Sequence, residues 1–567
     1  MKNEAMKQAR ELTVEDLLYL LAFLIALGVR LLHLGSAPLS DAEADLALRA
    51  LDGSLQVGTQ PLYVVLTSWL FFLIAGSSNF LARFWPAVAG AALALAPRLF
   101  HRALGRRAAL ILAFFLALDP GLVAVSRQAD GRMLALLLVV LTVGGLWNRR
   151  PVAAGVAAGL ALLAGPAIWQ GLLAWGAGWL AERAMQPSAD DERVIADTAR
   201  SRSFLLALGA TLLLVGTGLL HRPAALGALG SSLVAYLRGW ATPTGVPWLR
   251  PLAALVFYQP LAWVFFGFAA LRSRRGFIWL LVALLMVLIY PARAVADAVW
   301  VSVPLLTLAA LGLAALARGD FRDAVVLAQG AAWPVILAIG WMALAAFDLS
   351  PQTLPLARLA ILPGVILLGA LATLFVGLGW SWQQAQRGSV LGLTLSLGLY
   401  ALAMLSAVAY LRPASPLELW APPAAPAEAD LLDATLQEMA LRLHGERHTL
   451  QLVSLVDAPS LRWVLRQYSD VRFQPALEES GLPPLVIASP QSATQAWTAT
   501  YRGQDFYWRQ TAAWETALPS DLLGWWTHRR GLVERETLVL WARADVLPAA
   551  VVSEPAAETQ SEEDVVK

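Results

Sequence analysis

Apolar runs long enough to cross a bilayer recur from Leu17 to Leu411, broken by short loops that carry arginine. A hydrocarbon layer leaves no water for backbone N–H and C=O groups, so a run of this kind must satisfy its hydrogen bonds as a helix of about 20 residues. The chain is therefore confined to a bundle of spanning helices over most of its 567 residues. Composition agrees: 58% of residues are hydrophobic and 14% charged, where a soluble domain carries about 25% charged residues.

Arginine clusters assign the loops to sides, because cytoplasmic loops are enriched in Lys and Arg. The stretches 101–107, 148–150, 182–202, 271–275, 317–322 and 381–387 read as cytoplasmic, and 126–132, 221–250, 290–297 and 348–358 as external. Residues 1–16 form a cytoplasmic N-terminus. Leu17–Leu34 follows as a retained first helix with no small-residue cleavage site, leading to a first external loop over 35–80. That loop holds an apolar run over 61–75. If this run spanned, the basic stretch 101–107 would fall outside, so it is expected to lie in the interface. The prediction is a mainly α, polytopic bundle of about thirteen spanning helices over 17–411, in a cell membrane, that delivers the C-terminus outside.

From Arg412 the composition changes. A Pro/Ala-rich linker over 412–430 precedes a soluble extracytoplasmic α/β domain over 431–550 and a disordered tail over 551–567. Helices are expected at Leu431–Leu443 and Ser460–Tyr468. Strands are expected at Thr449–Leu455, Pro484–Ala488, Trp497–Tyr501 and Thr537–Ala542.

The net charge of +2 and the scattered arginines exclude nucleic acid as a partner, since phosphate binding needs a concentrated basic face. The absence of cysteine removes disulfides, thiolate metal sites and thiol nucleophiles. Lysine stands only at Lys2, Lys7 and Lys567, so a cation that holds phosphate deeper in the chain must be arginine. None of the six histidines shows metal-ligand spacing that also survives the topology.

Two external stretches concentrate chemistry. In Ser40-Asp41-Ala42-Glu43-Ala44-Asp45 three carboxylates sit at a membrane boundary. In a helix, Asp41 and Asp45 share a face and Glu43 points elsewhere. The same residues also read as a capping box, with Ser40 as N-cap and Glu43 at the third helical position. The second stretch, Ser126-Arg127-Gln128-Ala129-Asp130-Gly131-Arg132, sets arginines and a carboxylate at the same face, where arginines also commonly anchor helices to headgroups.

The order of these features resembles the membrane glycosyltransferases of the GT-C superfamily, close to family 39, the protein mannosyltransferase and aminoarabinose transferase group. The resemblance is strongest over Leu17–Gln170. It rests on Asp41-Ala42-Glu43-Ala44 for a carboxylate pair after the first helix, Gln60-Pro61-Leu62-Tyr63 for a Pro-Pro-Leu segment, Ala82-Arg83-Phe84-Trp85-Pro86, Ser126-Arg127 with Asp130, and Gly155–Leu163. It implies a GT-C-like fold and inverting transfer of a hexosyl or pentosyl group from a polyprenyl-phosphate lipid to a protein, glycan or lipid acceptor at the cell envelope. On this resemblance Asp41 is the expected general base, with Glu43 a close competitor, because one alanine is inserted between them. Arg83, Arg127 and Arg293 are the expected phosphate contacts, with Gln60 and Asp130 beside them. A divalent ion at Asp41 and Asp45 stays open. Two features depart from the group's pattern: Thr59-Gln60 stands where a lysine precedes the Pro-Pro-Leu element, and Trp525-Trp526-Thr527-His528 matches only two residues of the WWDYG motif, so that pair reads as core or interface aromatics. The competing reading is a transporter or lipid-carrier flippase. It calls for charged residues near mid-membrane, of which Asp119 beside Pro120 is the main example.

Overall fold

The computed structural model describes residues 13–52, 58–185, 189–218, 227–272, 276–348, 355–477, 482–492, 500–514 and 516–546. Most of the predicted N-terminal segment, the tail over 551–567 and residues 497–499 of the strand expected at 497–501 lie outside these residues. The chain divides into two compact units, Met1–Pro426 with Gln510–Glu534, and Ala427–Arg509 with Arg535–Lys567.

The first unit is helical. Helix α1, Val14–Leu31, starts at a capping box: Thr13 Oγ1 accepts from the Asp16 N–H at 3.2 Å, and Asp16 accepts from the Thr13 N–H at 3.1 Å. Helix α2 runs Asp41–Asp52 and α3 Pro61–Ile74, the latter opening with proline at its first position, where no N–H is needed. Helix α4, Asn79–Ala92, is capped by Ser78 and passes directly into a tighter turn over Leu93–Phe100.

Among the described residues five helices are long and apolar enough to cross a membrane, or eight if each sharply bent pair forms one span. The chain is thus a membrane protein by its helices. The expected count of about thirteen exceeds this for physical reasons. Several apolar runs are broken into shorter helices, such as Arg106–Leu118 and Pro120–Ser126, bent by 54° at Asp119 and Pro120. Others stop short of span length, as Arg132–Trp147 does. The run over 61–75 is α3, whose 14 residues reach about 21 Å at 1.5 Å per residue, short of a hydrocarbon core of about 30 Å. Its Tyr63, Thr67 and Phe71 are buried, while Phe72 and Leu73 are exposed.

Close packing in this bundle depends on small residues. Arg30, inside α1, is fully buried and donates to the carbonyls of Ala26, Leu116 and Ala117 at 3.1, 3.0 and 2.9 Å. Gly90 of α4 makes room for it: a Cβ there would stand 2.7 Å from Arg30 Nε and 2.5 Å from Ser126 Cβ.

The second unit is a five-stranded sheet in the order β2-β1-β3-β5-β4, with β1 Gln451–Ser454, β2 Asp470–Phe473, β3 Leu485–Ala488, β4 Tyr501–Ala512 and β5 Val533–Arg543. Strand β1 pairs parallel with β2 and β3, and β3 pairs antiparallel with β5. Helices Ala429–His444 and Pro459–Leu465 cover it and bury Leu432, Leu436 and Leu461 against Leu452, Leu485 and Leu540. Both expected helices and the strands expected near 449–455, 484–488 and 537–542 are present. Strand β2 and nearly all of β4 were missed, because β2 has no fully buried position and β4 mixes exposed and buried positions without strict alternation. The connection between β4 and β5, residues 510–534, belongs to the helical unit instead.

Gly90→Ala is expected to lower the thermal unfolding midpoint of the detergent-solubilised protein, with an overpacking cost of about 1–3 kcal/mol. Gly209→Ala, where a Cβ meets nothing within 4 Å, is the control and should leave the midpoint within error.

Candidate active site

The turn between α1 and α2 is held from two sides by arginines. Arg127, at the end of helix Pro120–Ser126, donates to the carbonyls of Arg30, Leu32 and His33 at 2.9, 2.8 and 2.9 Å and so caps the C-terminus of α1, where the orphan carbonyls and the helix dipole favour a cation. Arg83 of α4 donates to the carbonyls of Ala37 and Pro38 at 2.6 and 2.9 Å, and makes a two-pronged pair with Glu43 through Nε at 2.9 Å and Nη2 at 3.0 Å. Both partners of that pair are about 96% removed from solvent.

Glu43 collects further donors. The N–H and hydroxyl of Ser40 each reach Oε2 at 3.0 Å, and the Ala129 N–H reaches Oε1 at 2.8 Å. The capping and functional readings of this segment therefore meet in one carboxylate, which closes the start of α2 and fastens it to α4 and to residue 129. Burial pushes its pKa up, but the Arg83 charge and these hydrogen bonds outweigh burial and hold it below the usual carboxylate range. With five donors on two oxygens, Glu43 is a fixed anion.

A cavity of about 500 Å³ lies over this arrangement, entirely within the helical unit. From the first loop its wall takes Ser40, Glu43, Asp45, Thr59 and Gln60, and from the second Gln128, Asp130 and Arg132. Arg250, Ala294–Ala296, Glu418, Trp420 and Trp514 complete it. Asp45 is half-exposed and pairs with Arg49 one turn on at 2.8 Å. Asp41 opens α2 but is not part of this wall. Gln60 Oε1 accepts from the Gly131 N–H at 2.8 Å, which ties the two external loops together.

Arg132 is ion-paired on both sides, with Asp130 and with Asp297 at 3.0 Å. Arg250 differs. Its Nε donates to the Ala517 carbonyl at 3.1 Å and its guanidinium lies 4.8 Å from the Trp514 ring centre, and among the described residues no carboxylate pairs with it. Arg293 stands outside the wall and donates to the carbonyl of Val246, a wall residue, at 2.7 Å.

Of the residues expected from sequence, Glu43, Gln60 and Asp130 thus come together at the cavity, with Asp45. Arg83 and Arg127 are bound to loop carbonyls beside it. Sequence reasoning missed Arg132 within a stretch it had singled out, and Arg250, Asp297, Glu418 and Trp514 altogether. Asp297 and Arg250 carried a signal, as lone charges next to apolar helices, but nothing linked them to the first loop. Among the described residues no three potential ligands cluster as a metal site. Asp119 N-caps helix Pro120–Ser126 through the Leu122 N–H at 2.8 Å, which accounts for a carboxylate at that depth. Trp525 and Trp526 act as anchors, donating to the Leu417 carbonyl and the Tyr400 hydroxyl at 2.8 Å each.

Neither the protein-family models nor the curated proteins contain a match to this chain. Solved structures do. ArnT from Cupriavidus metallidurans in the apo state aligns with a TM-score of 0.55 at 15% identity, covering 94% of this chain and 98% of that one. The chain has the ArnT fold. The same protein bound to undecaprenyl phosphate aligns with a TM-score of 0.51 at 15% identity, covering 94% and 99%. At 94% coverage the alignment takes in residues of the sheet-bearing unit as well as the helices.

Removing one partner of the Glu43–Arg83 pair leaves a buried unpaired charge, so Glu43→Gln and Arg83→Gln should each cost about 3–5 kcal/mol, whereas Glu43→Leu with Arg83→Met should recover part of that loss. Thermal unfolding of the three variants checks this. The lowered pKa of Glu43 adds a sign: its contribution is fully present above the unfolded-state carboxylate range, near pH 4.3, and is lost as pH falls through the folded value. The destabilisation by Glu43→Gln should accordingly shrink in acid.

Proposed function

We propose that this protein is a membrane glycosyltransferase that takes a sugar from a polyprenyl-phosphate carrier and passes it to a hydroxyl of a protein, glycan or lipid acceptor. The observation that carries the reading is the cavity in an ArnT-like fold whose wall joins a half-exposed carboxylate, Asp45, and an arginine, Arg250, that no carboxylate among the described residues pairs with. The undecaprenyl phosphate bound to ArnT supports a lipid carrier of that class. In this reading the reaction takes place at the extracytoplasmic face, the N-terminus is cytoplasmic and the sheet-bearing domain lies outside.

Transfer with inversion needs two charges in place. The acceptor oxygen attacks the anomeric carbon as its proton passes to a carboxylate, and the bond from that carbon to the phosphate oxygen breaks, leaving the electron pair on polyprenyl phosphate. A base beside the acceptor and a fixed cation beside the leaving phosphate stabilise the two ends of this displacement. Asp45 is the proposed base, since it reaches the cavity and shares its helix face with Asp41, one turn earlier. Arg250 is the proposed phosphate contact, with terminal nitrogens that no described residue engages. Gln60 and Asp130 remain proposed substrate contacts from the wall. Glu43, Arg83 and Arg127 act by holding the loop that carries the base, and Arg293 by holding the loop at Val246.

Sugar transfer in membranes supplied with radiolabelled polyprenyl-phosphate sugars tests this. At matched expression Asp45→Asn is expected to lose about 100-fold or more in rate, Arg250→Gln about 10–100-fold, and Asp41→Asn only a few-fold. A parent protein inactive with every donor, or an Asp45→Asn variant at full rate, would overturn the assignment.

A further inference from the structure

A second cavity, of about 130 Å³, adjoins the first and shares Gln60, Asp130 and Arg132 with it. Its remaining wall includes Gln170, Tyr236, Tyr290 and Asp297. In a helical unit built from apolar runs this concentration of polar groups is unusual, and most of them are already oriented by one another. The Tyr236 hydroxyl donates to Gln170 Oε1 at 2.8 Å, the Gln170 amide donates to the Met286 carbonyl at 2.9 Å, and the Tyr290 hydroxyl donates to the Tyr236 carbonyl at 3.0 Å. The two tyrosine rings stack with centres 5.0 Å apart and planes 22° from parallel.

The charges decide what such a pocket can take. Asp130 and Asp297 flank a single cation, Arg132, which leaves an excess of one negative charge. Arg132 keeps N–H groups that no described residue engages, but its charge is met by a carboxylate on either side and cannot offset the second one, so it draws an anion weakly. The carboxylates, by contrast, keep acceptor capacity: Asp297 accepts from Arg132 Nε at 3.0 Å and from the Ala294 N–H at 2.8 Å, one donor on each oxygen, and a carboxylate has about four lone-pair sites. A lipid phosphate would meet repulsion here, whereas hydroxyl donors would find strong acceptors. The volume matches about four waters at roughly 30 Å³ each, room for one hydroxyl-bearing edge of a sugar ring whose remainder lies in the adjoining larger cavity.

We propose that this annexe is the sugar subsite: it holds the monosaccharide of the lipid-linked donor through hydroxyls donated to Asp130 and Asp297, and it rejects sugars that carry an acid group. The phosphate then stays in the larger cavity, on the Arg250 side. This inference rests on the glycosyltransferase reading and names the sugar class for it.

Binding by the full chain in lipid nanodiscs separates the two claims. Three probes are compared: bare polyprenyl phosphate, the same lipid carrying a neutral hexose, and the same lipid carrying a uronic acid. The parent should bind the hexose lipid at least about tenfold more tightly than the uronate lipid, the scale of one misplaced charged hydrogen bond. Asp297→Asn, which removes the excess charge, should narrow that gap. Tyr236→Phe, which keeps the ring stack and releases Gln170, should weaken the hexose lipid several-fold. Neither substitution should change bare polyprenyl phosphate by more than about twofold, since the subsite does not touch it. Equal loss for bare and sugar-bearing lipid, unchanged hexose-lipid binding in both variants, or a uronate lipid bound as tightly as the hexose lipid by the parent would overturn the subsite. A parent that binds none of the three lipids and transfers no sugar overturns the glycosyltransferase reading itself, a distinct result.

Discussion

The Glu43–Arg83 pair joins three parts of the chain that are far apart in sequence: the start of α2, the start of α4, and the backbone at Ala129. Two charges buried this deeply are costly to desolvate, and they persist only because almost every donor and acceptor is matched. The match extends outward. Arg83 also takes the carbonyls at 37 and 38, and Arg127 takes those at 30, 32 and 33, so a turn with no regular structure has its backbone acceptors filled by side chains. Without that lattice the first loop would have no fixed place over the bundle, and Asp45 would have no fixed direction.

The same economy of polar contacts governs the rest of the helical unit. Arg30 is fully buried and reaches three carbonyls from the last turn of α1, and Gly90 is the close approach that admits it. Glu418 lies under the cavity wall, where it pairs with Arg412 at 2.7 Å and Arg529 at 3.1 Å and accepts from the Tyr258 hydroxyl. Arg529 comes from the 510–534 connection, so a segment that leaves one strand and returns to another is bolted to the helices by an ion pair and by the two indoles of Trp525 and Trp526. Trp514, in the same segment, backs Arg250. The cavity is thus closed partly by residues more than 450 positions away from the loop that begins it.

Polar residues in this protein sort into those whose bonding is complete and those with capacity left over. Glu43, Arg83 and Arg127 belong to the first kind: their hydrogen bonds go to one another and to the backbone at the end of α1 and in the first loop. Asp45, Arg250, Asp130 and Asp297 belong to the second. A substrate can engage only groups that the protein has not already satisfied, and the functional proposals follow that division.

Much was legible in the sequence because it depends on local period and composition. The membrane class, the change at Arg412, the helix at 429–444, the buried central strand Leu485–Ala488 and the special status of the loops at 40–45 and 126–132 all follow from runs and caps only a few residues long. The three-residue step from Ser40 to Glu43 gave one half of the cap, the Glu43 carboxylate accepting from the Ser40 N–H, while the Ser40 hydroxyl donates to the same carboxylate. Sequence could not tell which charges meet, because an arginine that caps a helix and one that waits for a phosphate have the same letter and much the same neighbours. Arg83 found Glu43 across 40 residues, Arg132 found Asp297 across 165, and Arg250 found Trp514 from a distant stretch of the same helical unit. Those pairings are set by how helices cross and by where small residues let them approach, and only the packed structure holds that information.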